Sequence, residues 1–558
     1  MPEPAMMSDV AEAASARLER RGAPHAAAAL GPASSLGREP VVHAQDATPE
    51  AMPAAGSQPN FLIIWGDDIG WWNLSCYNNG MMGYETPNID RIGAEGARFQ
   101  SWYAENSCTA GRAAFITGQA PIRTGLLKVG LPGSPIGLQP DDPTIADLLR
   151  SLGYATGQFG KNHLGDRNAY LPTVHGFDEF FGFLYHLNAF DEPENSDYPR
   201  NPAFAERWGT RHVLHTWAAE EDDPTEDPRF GRVGKQRIED AGALDIKRQE
   251  TIDDEVMGYS QAFIRNAVET GKPFFVWHNT ARMHMHTHLK PESDGVTGLG
   301  IEADGMVETD GHVGQLLDLL DELGIADNTV VMYTTDNGAS FWSWPDAGTT
   351  PFRSEKNTVW EGGFRVPCVV RWPGVIEPGT VSNEIYCMYD MFPSMLAAAG
   401  NSNVVNDLKA GTTIGDMTYK VHLDGYNMLP YWMGEVDEHP RHEFLYWTDD
   451  GNLGALRYDR WKEVFADQRA HGRGVWIDPP VDLRLPYIFD LLADPFEKSQ
   501  LDSTSYNMWV SERAFLSYPV TDYLFNWLSS FKEFPPRQKS ASFSIDQVMA
   551  QLQNPDQP

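Results

Sequence analysis

From Asn60 to about Ala399, short β-rich apolar runs alternate with stretches of helical periodicity, and no other feature limits the possible folds so sharply. A strand covered on both faces reads as a continuous apolar run, and such strands separated by helices pair in parallel beneath helical layers. The strand candidates are residues 61–65, 154–159, 274–277, 330–334 and 366–370. Between them, 86–95 opens on Thr86-Pro87, a favourable helix start, and 141–149 carries an early proline followed by apolar residues at helical spacing. Val313, Leu316, Leu317 and Leu320 fall on one face of a further helix. The expected fold class is α/β: a large mixed, mostly parallel sheet sandwiched by helices, with a smaller C-terminal domain of antiparallel sheet plus helix.

Composition divides the chain. Residues 1–58 are rich in Ala, Pro and Ser and read as a disordered or leader segment. Within them Arg20-Arg21 precede a short apolar patch at 26–30, and Val42-His43-Ala44 has the small-residue ending of a cleaved leader, but Pro24, Gly31 and Pro32 interrupt the pattern. A periplasmic or secreted location and a cytoplasmic one both stay open. Residues 59–400 form the α/β domain, with the polar, acidic, proline-bearing stretch 190–250 as an insertion over the sheet's edge or mouth. In 401–535 the runs 444–447, 454–458, 461–465 and 487–489 suggest a small antiparallel sheet, followed by a helix over 520–531. Residues 536–558 are a polar tail.

The formal net charge of −35 argues against nucleic acid or an anionic membrane surface as a general partner. The same field repels a sulfate or phosphate ester, so any anion site needs cations of its own. No run of eighteen apolar residues exists, so nothing in the sequence spans a bilayer. Four cysteines (Cys76, Cys108, Cys368 and Cys387) make no disulfide framework in a chain of this length, and Cys368 reads as a small core hydrophobe.

The chemistry-bearing residues follow the strand candidates, which in open α/β sheets is where ligands bind. Asp67-Asp68 and Asp336-Asn337 offer carboxylate and amide oxygens, the donor set of a hard cation such as calcium or magnesium. Each alone reads as an N-cap pair or a turn; together, at two strand ends, they point to metal. Lys161 and His163 follow the 154–159 run. Cys108 and Arg112 share one side of a first helical turn, where the helix terminus and the guanidinium favour a reactive thiolate. His284, His286 and His288 alternate, which fits a one-sided zinc triad on a strand or loop residues at a pocket mouth. The tryptophans Trp71, Trp72, Trp102, Trp342, Trp344 and Trp360 include several close to these loops and suit either an aromatic or sugar ring or simple packing.

Six motifs then follow one another in order: Asp67-Asp68-Ile69-Gly70, Thr86-Pro87-Asn88-Ile89-Asp90, Cys108-x-x-x-Arg112, Gly160-Lys161-x-His163-Leu164-Gly165, Asp336-Asn337-Gly338, and Lys356-x-x-x-x-Glu361-Gly362-Gly363-x-Arg365-Val366-Pro367. The series resembles the type I, formylglycine-dependent sulfatases of the alkaline-phosphatase superfamily, over roughly residues 60–380, with the C-terminal domain also similar. The resemblance implies an alkaline-phosphatase-like sheet and a different fate for Cys108: oxidation after synthesis, by a maturase, to formylglycine, whose hydrate attacks the ester sulfur. It implies that Asp67, Asp68, Asp336 and Asn337 hold calcium, with magnesium as the alternative, and that Arg112 steadies the hydrate. Lys161 and Lys356 are implied to grip sulfate oxygens, His163 to act as the base that releases sulfate, and His284, the loosest match, to protonate the leaving oxygen. One position departs from the pattern: Ala110 stands where the family usually has proline. Such variants resemble those handled by the iron–sulfur type of maturase, which puts the extent of conversion in question in a foreign host.

The expected activity is hydrolysis of an aryl or alkyl sulfate ester, on a small molecule or a carbohydrate, releasing inorganic sulfate. A phosphodiesterase or phosphonate monoester hydrolase of the same superfamily is the nearest rival. A protein that holds sulfate esters on an unmodified Cys108 without cleaving them is the rival from another class.

Overall fold

The apolar runs form the middle of one sheet. In the computed structural model, which describes residues 58–343 and 349–540, ten strands build it: β1 (Asn60–Gly66), β2 (Ala97–Tyr103), β3 (Ala155–Lys161), β4 (Glu179–Phe183), β5 (Leu214–Asp227), β6 (Gly231–Asp240), β7 (Phe274–Asn279), β8 (Thr329–Thr335), β9 (Arg365–Arg371) and β10 (Thr380–Cys387). The expected leader (all but Gln58), the tail beyond Ser540, and Trp344 lie outside the described residues.

The strand order is β10-β2-β9-β8-β1-β7-β3-β4-β5-β6. The five central strands β8, β1, β7, β3 and β4 run parallel, with Phe61 of β1 opposite Val330 on one side and Phe275 on the other. Strand β9 is antiparallel to both β8 and β2, and β5 and β6 add an antiparallel hairpin at the far edge. That hairpin and the helix Pro202–Trp208 come from the acidic stretch 190–250, and its exposed second half carries almost no apolar residue. Burial follows the pleat: Phe61, Ile63 and Trp65 enter one core cluster and Leu62 and Ile64 the other, so β1 has no wet face. Each such side chain contributes about 1.5–3 kcal/mol on burial.

C-terminal to this sheet lie the short pair β11 (Thr412–Ile414) and β12 (Met417–Tyr419), then a four-stranded antiparallel sheet of β13 (Glu443–Trp447), β14 (Leu453–Tyr458), β15 (Trp461–Asp467) and β16 (Val481–Asp490). The helix Ser517–Ser529 packs on it. A buried ionic seam joins the two sheets. Glu361, just before β9, accepts hydrogen bonds from Tyr103 (2.6 Å), Tyr446 (2.5 Å) and Lys462 (3.0 Å). Lys462 also lies 2.7 Å from Glu497, whose other oxygen accepts from the Glu361 backbone N–H at 2.7 Å. Among the described residues, no helix is long and apolar enough to cross a membrane.

Candidate active site

Four neighbouring parallel strands deliver their chemistry to one rim of the sheet. Asp67-Asp68 follow β1, Asp336-Asn337 follow β8, Lys161 ends β3 and Asn279 ends β7. Neighbouring strands are about 4.8 Å apart, so residues far apart in sequence become contacts. Asp68 and His163 both hold left-handed backbone (φ 61° and 62°), a conformation costly for non-glycine residues and concentrated at functional sites.

Cys108 is the first residue of the helix Cys108–Thr117, and both it and Arg112 are fully buried. The helix presses directly on the end of β8: a Cβ at Gly111 would lie 2.0 Å from the Asp336 carbonyl oxygen, so only glycine fits between Cys108 and Arg112 there. Arg112 donates to the Asp336 carboxylate through Nε (3.0 Å) and Nη2 (2.8 Å), and through Nη1 to the Lys161 carbonyl and Asn279 Oδ1, both at 2.9 Å. The guanidinium therefore locks three strand ends together. The expectation of a reactive thiolate at Cys108 is corrected: burial pushes the thiol up, outweighing Lys161 and Lys356.

The acidic residues converge. Lys161 pairs with Asp67 Oδ2 and Lys356 with Asp68 Oδ1, while Asn337 Nδ2 donates to Asp68 Oδ1 at 2.7 Å. Burial alone would raise the Asp68 carboxyl, but Lys356, with His284 and Asn337, holds it well below the usual carboxylate range. For Lys356 burial works downward, yet Asp68 and its neighbours keep the ammonium charged. Three buried oxygens, Asp67 Oδ1, Asp68 Oδ2 and Asn337 Oδ1, have no hydrogen-bond partner among the described residues. An orphaned buried acceptor costs about 1–3 kcal/mol, and three together, all hard oxygen donors, fit a calcium-like cation. His284 joins Asp67 and Asp68 in a buried group able to hold a metal ion, its Nε2 lying 3.9 Å from Asp68 Oδ2.

The two histidines differ in tautomer. His163 Nε2 donates to the Gly130 carbonyl (3.0 Å), leaving the Nδ1 lone pair buried and unpartnered. His284 Nδ1 donates to the Met285 carbonyl (2.8 Å), leaving Nε2 toward Asp68. Burial first, then Lys161, keeps both rings neutral, and His284 is lowered to about 3. The zinc triad does not assemble: His286 and His288 turn instead to Asp191, at 2.9 and 3.1 Å. Of the tryptophans, Trp102 and Trp360 are core residues, whereas Trp342 is 39% exposed.

One site residue escaped sequence reasoning. His186 is buried, its ring centroid 5.8 Å from that of His163 and 6.1 Å from that of His284, on which it stacks. It follows β4, and recognising β4 as a strand would have exposed it by the same rule that found the others.

Comparison with known proteins agrees with this geometry. The family model described as Sulfatase matches residues 59–401. N-acetylgalactosamine-6-sulfatase of Sus scrofa is 31% identical over 471 residues, covering 81% of this chain and 83% of that protein. Arylsulfatase A of Bos taurus is 30% identical over 80% of this chain and 84% of its own length. The crystal structure of PsFucS1 sulfatase from Pseudoalteromonas sp. superposes with a TM-score of 0.73 at 28% identity, covering 86% of this chain and 92% of that one. A family match over more than half of the chain, on a sheet whose strand ends gather one acidic, metal-fitting cluster beside a cysteine that opens a helix, makes this chain an enzyme of the sulfatase family.

Proposed function

We propose that this sulfatase cleaves an O-sulfated saccharide, with Cys108 as the precursor of its nucleophile and Asp67, Asp68, Asp336 and Asn337 as the cradle of a calcium ion. The observation that carries this reading is the set of three orphaned oxygens beside a fully buried Cys108. When bound, calcium, or magnesium in its place, supplies Lewis-acid polarisation of the sulfate and favours ionisation of a neighbouring hydroxyl. Attack on sulfur comes from position 108 once a maturase has oxidised its cysteine to formylglycine and water has added.

This chain's own residues do the rest. Arg112 fixes Asp336 and the Lys161 backbone, so the cation wall and the anion wall share one frame. Lys161 and Lys356 supply the local positive charge that a −35 protein otherwise denies a sulfate. His284, whose Nε2 faces Asp68, takes the role of acid to the leaving oxygen; an arriving anion raises its pKa and lets it carry the proton it delivers. His163, with Nδ1 free, takes the proton whose loss releases sulfate. A saccharide substrate draws support from the Sus scrofa relative, named for N-acetylgalactosamine 6-sulfate. Export of the enzyme draws support from Arg20-Arg21 and the small-residue stretch after them; N-terminal sequencing of the protein from culture fluid or periplasm checks it.

The test combines chemistry and mass. In natively produced enzyme, the tryptic peptide ending at Arg112 carries an aldehyde at position 108, and sulfate is released from 4-nitrophenyl sulfate and from N-acetylgalactosamine 6-sulfate. An intact, alkylatable thiol in fully active enzyme overturns the assignment of Cys108. Turnover of a phosphate diester or phosphonate monoester orders of magnitude faster than any sulfate ester transfers the enzyme to the phosphorus-ester branch.

A further inference from the structure

Two buried hydroxyls, Ser107 and Thr109, flank Cys108 in the chain, and both reach the same neighbouring segment. Ser107 opens the helix without capping it through its side chain; its Oγ donates instead to the Leu127 carbonyl at 3.1 Å. Thr109 Oγ1 accepts from the Gly130 N–H at 3.1 Å and donates to the His163 carbonyl at 3.0 Å. A hydroxyl gives and takes hydrogen bonds through one atom, and here both capacities are used. Segment 127–130 is thereby pinned to the first turn of the Cys108 helix, and that turn to the residues just after β3.

The end of the segment meets the His163 ring. The Gly130 carbonyl accepts from His163 Nε2 at 3.0 Å. A Cβ built on Gly130 lies 3.6 Å from His163 Cδ2 and 3.9 Å from both His163 Nε2 and Thr109 Oγ1, so ring and hydroxyl pack on one glycine. Because a carbonyl only accepts, this contact places the ring proton on Nε2 and leaves Nδ1 as the lone pair, buried with no partner among the described residues. His163 also holds left-handed backbone (φ 62°), which persists only where the surroundings over-determine it, and Thr109 grips the carbonyl of that same residue. One side chain therefore holds both the backbone that carries the ring and the loop that sets its tautomer.

We infer that Thr109 is a positioning residue for the reaction: by joining Gly130 to His163 it fixes the ring with Nε2–H on the Gly130 carbonyl and Nδ1 free to accept a proton. The inference rests on the sulfatase reading, in which His163 is the base that releases sulfate, and names what aims that base. Without the hydroxyl, the Gly130 N–H and the His163 carbonyl lose their partner together. The Gly130 carbonyl is then no longer held against Nε2, and the ring takes either tautomer. With the proton on Nδ1, the lone pair points at the loop and the base is idle. Since Thr109 directly follows Cys108, the helix of the nucleophile and the base share one support.

The experiment reads the tautomer first, by NMR of protein labelled with 15N-histidine, the His163 signals being assigned by their loss in His163→Gln. Wild type carries the ring proton on Nε2; Thr109→Val gives a mixture or Nδ1–H, and Thr109→Ser restores the wild-type pattern. This readout needs neither the aldehyde nor turnover. Kinetics on 4-nitrophenyl sulfate follow, with rates taken per molecule carrying the aldehyde at 108, counted by mass. Thr109→Val lowers kcat roughly ten- to a hundredfold, the range for a group that orients a functional histidine. KM falls with it and kcat/KM stays within about twofold, because the slowed step comes after nitrophenol has left. Thr109→Ser keeps both constants near wild type, and Thr109→Ala takes the place of Thr109→Val should the latter fail to fold. An unchanged tautomer in the variant lacking the hydroxyl overturns the inference. So does a fall in kcat/KM as large as that in kcat which serine does not rescue, since Thr109 is then merely structural. A shifted tautomer with unchanged kcat overturns it together with the role of His163. Absence of all sulfate-ester turnover by wild-type enzyme carrying the aldehyde defeats the sulfatase reading itself, whichever tautomer is found.

Discussion

Two of the buried charge clusters in this molecule, the seam between the sheets and the group at the strand ends, differ in how completely each satisfies itself. In the seam, Glu361 receives two tyrosines and Lys462, and Glu497 closes the ring on the Glu361 backbone. At the strand ends the same kinds of residue leave Asp67 Oδ1, Asp68 Oδ2 and Asn337 Oδ1 without donors. A buried polar network that closes on itself is architecture; one that stops short is waiting for something the chain does not contain. Burial and charge alone would not have told the two apart. The count of unmet acceptors does: three at the strand ends, against Glu497 Oε1 alone in the seam, and that one lies 2.7 Å from the Lys462 ammonium.

The comparison breaks first at position 108. Cys108→Ala lowers kcat for sulfate release by at least ~10³-fold, as removal of a nucleophile does in other hydrolases, and thermal unfolding shows the melting temperature nearly unchanged. Lys462→Met has the opposite signature: it strands Glu361 and Glu497 and costs about 3–5 kcal/mol of stability. Denaturant titration reads that loss, while kcat/KM of the remaining folded enzyme stays close to wild type. Should Lys462→Met abolish turnover without a stability loss, the seam is part of the catalytic apparatus.

Metal comes next. Stripping divalent ions with a chelator and restoring calcium at about a hundredfold above its Kd raises stability by about 2.7 kcal/mol, and Asp68→Asn abolishes that response. Lys462→Met retains it, because the seam has no orphaned oxygen pair to fill. The smallest effect is in pH. Burial pushes Glu497 up to about 7, with Lys462 opposing. In the unfolded chain this carboxyl ionises near its ordinary 4.5, so between those values the folded state binds more proton and stability falls as pH rises, levelling off above about 7. Asp68 is held low, so its contribution is full above the unfolded carboxylate range and disappears as pH falls into acid. Melting curves from pH 4.5 to 8 of wild type and Glu497→Gln check the first slope, which the variant flattens.

Much of the catalytic rim was legible because charged residues cut off apolar strands. Asp67, Lys161 and Asp336 each interrupt or directly follow a run of buried positions, and a charge there needs a reason. Strands β1, β3, β7, β8 and β9 stood out for the same cause: they are covered on both faces. β2 alternates half-buried Arg98 and Gln100 with apolar residues, and β5 and β6 are largely polar edge strands, so neither pattern resembles a buried parallel strand. His186 was lost with β4, a strand of only five residues. The seam was beyond reach for another reason. Glu361 lies 101 residues from Lys462 and 136 from Glu497, and what makes them a unit is a shared hydrogen bond, not a spacing.

The complete burial of Cys108 also sets a timetable. Its helix is clamped by Asp336 from β8 and covered near Lys356, segments made long after it. On the proposed reading, an enzyme that oxidises this thiol needs contact with a side chain that has no exposed surface in the finished fold. Conversion so proposed precedes closure of the central strands, and slowing the synthesis of residues 329–371 would lengthen the interval in which position 108 is still within reach.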